Sequence, residues 1–296
     1  MRNYIENYLN EYEFPILAKQ EFLTAYDKIT SNKIANELLL QTISDYKKNY
    51  DVDFNKVCNE YYKTIQLECG IHPYTTGVIF AICLCKQLKI YYKQREYTEE
   101  MYKNALADIK YKVMENSPIN KIWGWENKTW LDKFLKFERF GFDQLQFNLN
   151  PFLGEYHKNG VDLYPDSQII TVHLPMTGQK LNADQVPNTF KKAGEFFKQF
   201  LKDKPIVFYC RSWLLFSGHL HVLKEGSQIL KFRNLFEIIG EKFFNDYSEL
   251  KRLFHTTDFS DIEKLPCETS LQRHYIEVLK NGEKTGHAWG IYVYQK

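Results

Sequence analysis

What this chain of 296 residues most plainly lacks is a long apolar run. Its longest, GVIFAICLC at 77–85, falls far short of the roughly 20 residues that a membrane-spanning helix needs. The amino terminus, MRNYIENYLNEYEF, mixes charged with apolar residues and has none of the uninterrupted apolar stretch of a secretory signal. An excess of one charge is missing too: 39 Lys and Arg against 37 Asp and Glu leave a net charge of +2, so nothing calls for nucleic acid or an anionic membrane as a partner. The six cysteines, Cys58, Cys69, Cys83, Cys85, Cys210 and Cys267, form no C-x-x-C pair and have no histidine at metal-ligand spacing. No metal is expected, and a soluble protein of the reducing cytoplasm is.

What is present is ordinary in proportion, with 44% hydrophobic and 26% charged residues, except for a high aromatic share of 16%. Filling a core accounts for that excess more simply than lining a groove does. The length exceeds one usual domain, so two domains, or a large one with an appendage, are expected. No internal repeat or low-complexity segment interrupts it.

Up to about residue 116 the apolar residues recur at helical spacing, as in Ile34, Leu38, Leu39 and Ile43. Ser31, Asp53 and Thr98 stand where helix starts are expected, and several short packed helices follow from this. Near NSPIN at 116–120 the character changes, through WGWENKTW, to strand patterns. In DQLQFNL, Leu145, Phe147 and Leu149 alternate with Gln144, Gln146 and Asn148, the signature of a half-buried strand. HKNG at 157–160 predicts a hairpin turn, because Asn and Gly tolerate positive φ. Then come a strand, IITVHL, an amphipathic helix carrying Phe190, Ala193, Phe197, Phe200 and Leu201, and a second strand, PIVFYC. A short helix around LLFSGHLHVL, a strand around QILKFRNLFEII, a helix in TSLQRHYIEVLKN and a last strand, HAWGIYVY, complete the reading. The fold class is therefore α+β, with a helical domain over 1–116 and a domain of mixed sheet and helices over 117–296.

The turn after IITVHL holds the first candidate site. If the helix follows it, the N–H groups of Thr177, Gly178 and Gln179 point at an anion near the helix start. Asn182 and Gln185 read as a capping box there, although Pro187 argues for a later regular helix. Local chemistry alone favours a plain strand-to-helix turn over an anion cradle. A second polar cluster, YCRSWLL at 209–215, lies at the end of the next strand, where ligands of open α/β sheets gather. Cys210 as a nucleophile, with His173 or His219 as base, is the minority reading against a small buried hydrophobe. His219 and His221 share a face only in a strand, and Thr269 with Gln272 forms a second capping box. Trp123, Trp125 and Trp130 read as packing.

The stretches VHLPMTGQKL, CRSWLL, SQILKF and LPCETSLQRHYIEVLKNGEKTGHAWGI, with YYKQREYTEEMYKNALADIK and GFDQLQF, carry a resemblance. Over most of its length the chain is similar to a bacterial family of two-domain proteins in which a helical N-acyltransferase domain precedes a GNAT-like carboxyl-terminal domain. His173, Ser212, Trp213, Ser227, Thr269, Gln272 and Arg273 coincide with that family's pattern. The chain departs from it in having Met176, Thr177 and a lone glycine, Gly178, where the family loop is glycine-rich, and Asp143–Gln144 where the family has Gly-Arg.

The resemblance implies transfer of an acyl group, acetyl or longer, from a coenzyme A thioester to a small amine. The donor would lie in a splayed cleft between the fourth and fifth strands, IITVHL and PIVFYC, with its pyrophosphate on Met176, Thr177, Gly178, Gln179 and Lys180. His173 is the candidate base, its ordinary pKa near 6.5 suiting proton transfer at neutral pH, and Ser212 or Tyr209 the candidate proton donor to the leaving thiolate. The rival expectation, prompted by the lone glycine and by Asp143–Gln144, is a non-catalytic binding or sensor module on the same fold.

Overall fold

The computed structural model describes every residue except Asp51, residues 126–129, Asp203, Asn245, Asp246, Ser248 and the last two; the middle of WGWENKTW thus lies outside the described residues. The chain divides into two units, Met1–Gly141 and Phe142–Lys296. No single helix among the described residues is long and apolar enough to cross a membrane.

The first unit is built from α1 (Arg2–Glu11), α2 (Ile16–Ser31), α3 (Lys33–Asn49), α4 (Phe54–Lys56), a π-helical turn at Val57–Tyr61, α5 (Tyr62–Cys69), α6 (Pro73–Gln94), α7 (Glu99–Asn120) and α8 (Asp132–Leu135). The apolar run noted above is the middle of α6, buried from Thr75 to Cys85, so its hydrophobicity serves a helix enclosed by other helices. Asp53 and Thr98 cap α4 and α7 through their side chains, as the sequence indicates. Ser31 does not cap α3: it ends α2, and Asn32 accepts from the Ala35 N–H instead. Helix α7 runs on through Pro118 to Asn120, so NSPIN is helical.

A six-stranded sheet of order β1-β2-β5-β6-β8-β7 is formed by β1 (Arg139–Phe142), which spans the division between Gly141 and Phe142, and by β2 (Leu145–Pro151), β5 (Gln168–His173), β6 (Val207–Ser212), β7 (Glu237–Phe244) and β8 (Thr285–Val293) of the second unit. A separate hairpin pairs β3 (Tyr156–Lys158) with β4 (Val161–Leu163), turning at Asn159 and Gly160, both at positive φ as HKNG predicts. In chain order IITVHL and PIVFYC are thus the fifth and sixth strands. Helix α9 (Val186–Leu201) joins them, and α10 (Gln228–Asn234), α11 (Leu250–Phe254) and α12 (Ser270–Asn281) follow. The segment read as one strand, QILKFRNLFEII, is half helix: Ser227 caps α10, and β7 begins only at Glu237. LLFSGHLHVL forms 3-10 turns at Trp213–Leu215 and Ser217–Val222.

Helix α9 covers one face of the sheet. Phe190 stacks on Phe208 of β6 at 4.4 Å and meets Phe147 of β2 at 6.1 Å and Tyr292 of β8 at 4.9 Å. The opposite face is divided. Near the amino ends of β5 and β6, Ile169, Val207 and Ile291 pack under Phe152, Tyr156, Val161 and Leu163 of the β3–β4 segment. Three bonds to Glu237, from Tyr156, Lys158 and Asn159 at 2.8–2.9 Å, pin that hairpin to β7. The carboxyl halves of the same strands carry polar residues.

Candidate active site

Strand alternation decides what reaches the uncovered half of that face. Strand β2 pairs antiparallel with β5, setting Gln146 opposite His173 and Asn148 opposite Thr171, so these four side chains share one face. Strand β6 runs parallel to β5, with Thr171 level with Tyr209, which adds Tyr209 and then Arg211 to that face. Cys210 and Ser212 alternate to the other side.

The parallel ladder between β5 and β6 stops early. It pairs Ile170 with Phe208, Thr171 with Tyr209 and Val172 with Cys210, and then ends, although β5 continues to His173 and β6 to Ser212. The outer partners do not let go: Gln146 still pairs with His173, and Ser212 with Ala288. Just as Ile169 and Val207 lie outside the ladder at its other end, the last ladder pair between the two central strands thus lies one residue short of His173. Pro175 follows two residues later and has no N–H to continue a ladder.

His173 is half-buried, and its Nε2 lies 2.7 Å from Asn148 Oδ1. The Asn148 amide is itself oriented, because its Nδ2 donates to the Leu149 carbonyl at 3.2 Å, which leaves Oδ1 as the acceptor. The histidine is then the Nε2–H tautomer, with Nδ1 as its basic nitrogen. Two residues back, Asn150 Nδ2 donates to Thr171 Oγ1 at 2.9 Å. Asn148 and Gln146 are 1% and 2% exposed, so the polar side of DQLQFNL is buried, contrary to the half-solvated strand expected of it. Burial of an uncharged amide is tolerable where it is hydrogen-bonded, as Asn148 is. A strand whose alternate positions are all amides, Gln144, Gln146, Asn148 and Asn150, without one charge, was the available signal for this.

The other predicted residues are placed as follows. Tyr209 is half-buried, its ring 6.1 Å from Phe152, and burial pushes its hydroxyl above the usual tyrosine range, so it stays protonated at neutral pH. It shares a face with His173. Ser212 does not: its Oγ accepts from the Leu214 N–H at 3.2 Å and caps the first 3-10 turn. Cys210 is fully buried on the α9 side, where desolvation raises its thiol well above the usual range and removes it as a nucleophile. His219 is enclosed as well, its Nδ1 2.9 Å from the Tyr275 hydroxyl, and burial lowers its pKa to about 4. His221 stacks edge-on with His274 instead of joining it, and no metal-holding group of His, Cys, Asp or Glu exists among the described residues.

Met176, Thr177, Gly178, Gln179 and Lys180 lie in the loop between β5 and the 3-10 turn at Ala183–Gln185 that leads into α9. Gly178 takes φ +77°, which only glycine adopts without strain, with open space where a Cβ would stand. The Asn182–Gln185 capping box does not form: Asn182 makes no side-chain cap, and α9 begins at Val186 with Pro187 in its first turn, where a missing N–H costs nothing. Gln144 holds this loop instead. Its Nε2 donates to the Lys180 carbonyl at 3.0 Å and its Oε1 accepts from the Asn182 N–H at 2.9 Å. The neighbouring Asp143, at φ +48° in the β1–β2 turn, takes bonds from Thr189 and Lys192 of α9 at 2.6 and 2.7 Å. Gln228 of α10 accepts from the Ala183 N–H at 2.6 Å.

Three comparisons bear on this arrangement. No curated protein sequence matches the chain. Solved structures do: an acyltransferase mutant in complex with octanoyl-CoA (TM-score 0.72, 17% identity, 98% of this chain and 87% of that one) and an acyltransferase in complex with decanoyl-CoA and teicoplanin (TM-score 0.70, 18% identity, 96% and 86%). A third, an acyltransferase in complex with CoA and 10C-teicoplanin, superimposes with a TM-score of 0.71 at 18% identity over 96% of this chain and 86% of that one. At such identities the likeness is one of fold, α+β with a helical part followed by a mixed sheet. The profile of the GNAT-like C-terminal domain matches residues 139–292, more than half of the sequence. This chain therefore belongs to the family defined by the GNAT-like C-terminal domain.

Proposed function

We propose that the protein is an acyl-CoA-dependent N-acyltransferase that acylates an amine of a small molecule. The observation that carries this reading is a half-buried histidine at the carboxyl end of β5, just past the last β5–β6 ladder pair of Val172 with Cys210, with a turn into a helix just beyond it. A thioester donor suits that place: its pantetheine arm would run along the carboxyl ends of β5 and β6, and its phosphates suit the N–H groups and dipole near the start of α9. Lys180, exposed in the same loop, adds positive charge. Octanoyl-CoA, decanoyl-CoA and CoA in the similar solved structures support the donor class, and teicoplanin or 10C-teicoplanin in two of them is consistent with a small-molecule acceptor.

Bound donor supplies an electrophilic thioester carbonyl. His173 takes a proton from the attacking amine at Nδ1, and Asn148 Oδ1 accepts a stronger bond from Nε2–H as the imidazolium forms. The Tyr209 hydroxyl, kept protonated by burial, donates to the departing thiolate. The closing of the reaction is tested by incubating the protein with octanoyl-CoA and a pool of amines, following free thiol and analysing products by mass spectrometry. Amine-dependent thiol release with an acylated product supports the reading; CoA binding without any turnover favours a non-catalytic module, and no CoA binding removes both.

A further inference from the structure

The row of the sheet that holds His173 continues across its neighbours. One residue past the Val172–Cys210 pair, equal steps along two parallel strands bring His173 of β5 level with Arg211 of β6. Arg211 pairs in turn with Trp289 of β8, and Trp289 with Gly240 of β7. Four adjacent strands, spaced by roughly 4.8 Å, thus set these residues side by side on the half of the face beyond the β3–β4 segment.

Packing does not account for two members of the row. Arg211 is exposed and makes no ion pair or side-chain hydrogen bond among the described residues. Glu237 and Glu249, the carboxylates that meet this face on β7 and β8, are engaged by Lys158 at 2.9 Å and by His287 at 3.0 Å. Lys242, exposed and paired with His287 two residues beyond Gly240, adds a second positive charge. Trp289 is the other member. A Cβ on Gly240 would stand 2.5 to 2.7 Å from the indole Cζ2, Cε2 and Nε1, so the ring lies against bare backbone, and it is only half-buried.

We propose that Arg211 and Trp289 form the acceptor subsite and select an amine that carries a neighbouring carboxylate and a flat ring, as an aromatic amino acid does. The inference rests on the acyl-transfer reading above, with His173 as base. A guanidinium takes a carboxylate through two parallel bonds, and an indole takes a ring by stacking. One strand separates the histidine from the arginine, which suits an amine and a carboxylate that are close neighbours in one molecule. Arg211 faces away from α9, whose start is assigned to the donor's phosphates. In the reaction the amine nitrogen bonds the acyl carbon, the carbon–sulfur bond breaks, and the amine proton is balanced by the one that the thiolate gains.

The test measures kcat/KM with octanoyl-CoA for phenylalanine, for phenethylamine, which lacks the carboxylate, and for alanine, which lacks the ring. Calorimetry follows hydrocinnamate, which lacks the amine, binding to the CoA-loaded protein. Phenylalanine exceeds phenethylamine by about tenfold to a hundredfold in the wild type; Arg211→Gln brings that ratio near one and abolishes hydrocinnamate binding, while CoA affinity holds. Trp289→Leu lowers the ratio of phenylalanine to alanine by about three- to tenfold. Exposure of Arg211 keeps its variant folded even where the tryptophan variant is not. A phenylalanine-to-phenethylamine ratio unchanged in Arg211→Gln overturns the proposal, and so does a fall in CoA affinity, which assigns the guanidinium to the donor. Hydrocinnamate binding that Arg211→Gln abolishes, without acylation of any amine, upholds the subsite while the transfer reading fails. Equal turnover of phenylalanine and phenethylamine by the wild type, without hydrocinnamate binding, overturns the subsite and spares the transfer reading.

Discussion

Replacing Asn148 separates a base-orienting role from a packing role. The side chain is 1% exposed and its Oδ1 lies 2.7 Å from His173 Nε2. Asn148→Ala leaves a buried N–H donor without that acceptor, a loss of about 1–3 kcal/mol. Because the bond strengthens as the imidazolium forms, much of that loss falls on the transition state, and kcat/KM drops by roughly fivefold to a hundredfold with little change in donor KM. Asn148→Asp has nearly the same shape but places a negative charge against the ring, which favours the imidazolium and raises the histidine pKa by about 1 to 3. More base is then protonated at a given pH, so the acid limb of the kcat/KM profile, measured by thiol release between pH 5.5 and 9.5, moves upward. An acid limb that stays in place in Asn148→Asp, while His173→Gln abolishes turnover, refutes the contact between Asn148 and the base. Full turnover in His173→Gln refutes the base assignment itself.

Three further outcomes are expected. His219 is 0% exposed with its pKa lowered to about 4, so between its ordinary value near 6.5 and about 4 the unfolded chain binds the extra proton; this stabilisation is complete above pH 6.5, declines as pH falls, and amounts to roughly 3 kcal/mol in all. Urea unfolding from pH 7.5 to 4.5 measures it, and a His219→Gln variant with the same acid slope as wild type contradicts it. Cys210→Ala keeps full turnover and loses about 1 kcal/mol of stability, because the thiol is packing under α9; abolished thiol release in a folded variant contradicts this. Thr269→Ala breaks the capping box in which Thr269 Oγ1 accepts from Gln272 N–H at 3.1 Å and Gln272 Oε1 accepts from Thr269 N–H at 3.0 Å; a lower urea midpoint equivalent to about 1 kcal/mol, at unchanged slope, is expected.

Legibility in the sequence followed the range of the interaction. Helix starts at Asp53, Thr98 and Thr269 and the hairpin at Asn159–Gly160 rest on bonds within four residues, and their residue types announce them. Capping misread where two local solutions competed: Asn32 wins over Ser31, and Pro187 delays α9 past the Asn182–Gln185 pair. QILKFRNLFEII is apolar enough for either element, and the cap at Ser227 settled its first half as helix.

By itself the sequence determined the α+β class and the strand–helix–strand unit whose turn contains Thr177 and Gly178, because periodicity and turn chemistry are local. Only the tertiary structure decided what that turn is joined to. That β5 and β6 lie parallel with Val172 level with Cys210, that Asn148 reaches His173, and that Gln144 and Gln228 occupy the N–H groups of Asn182 and Ala183 are pairings across 25 to 45 residues. The strand pairings depend on register, and a shift of one residue would turn the side chain of Asn148 away from the face that His173 occupies.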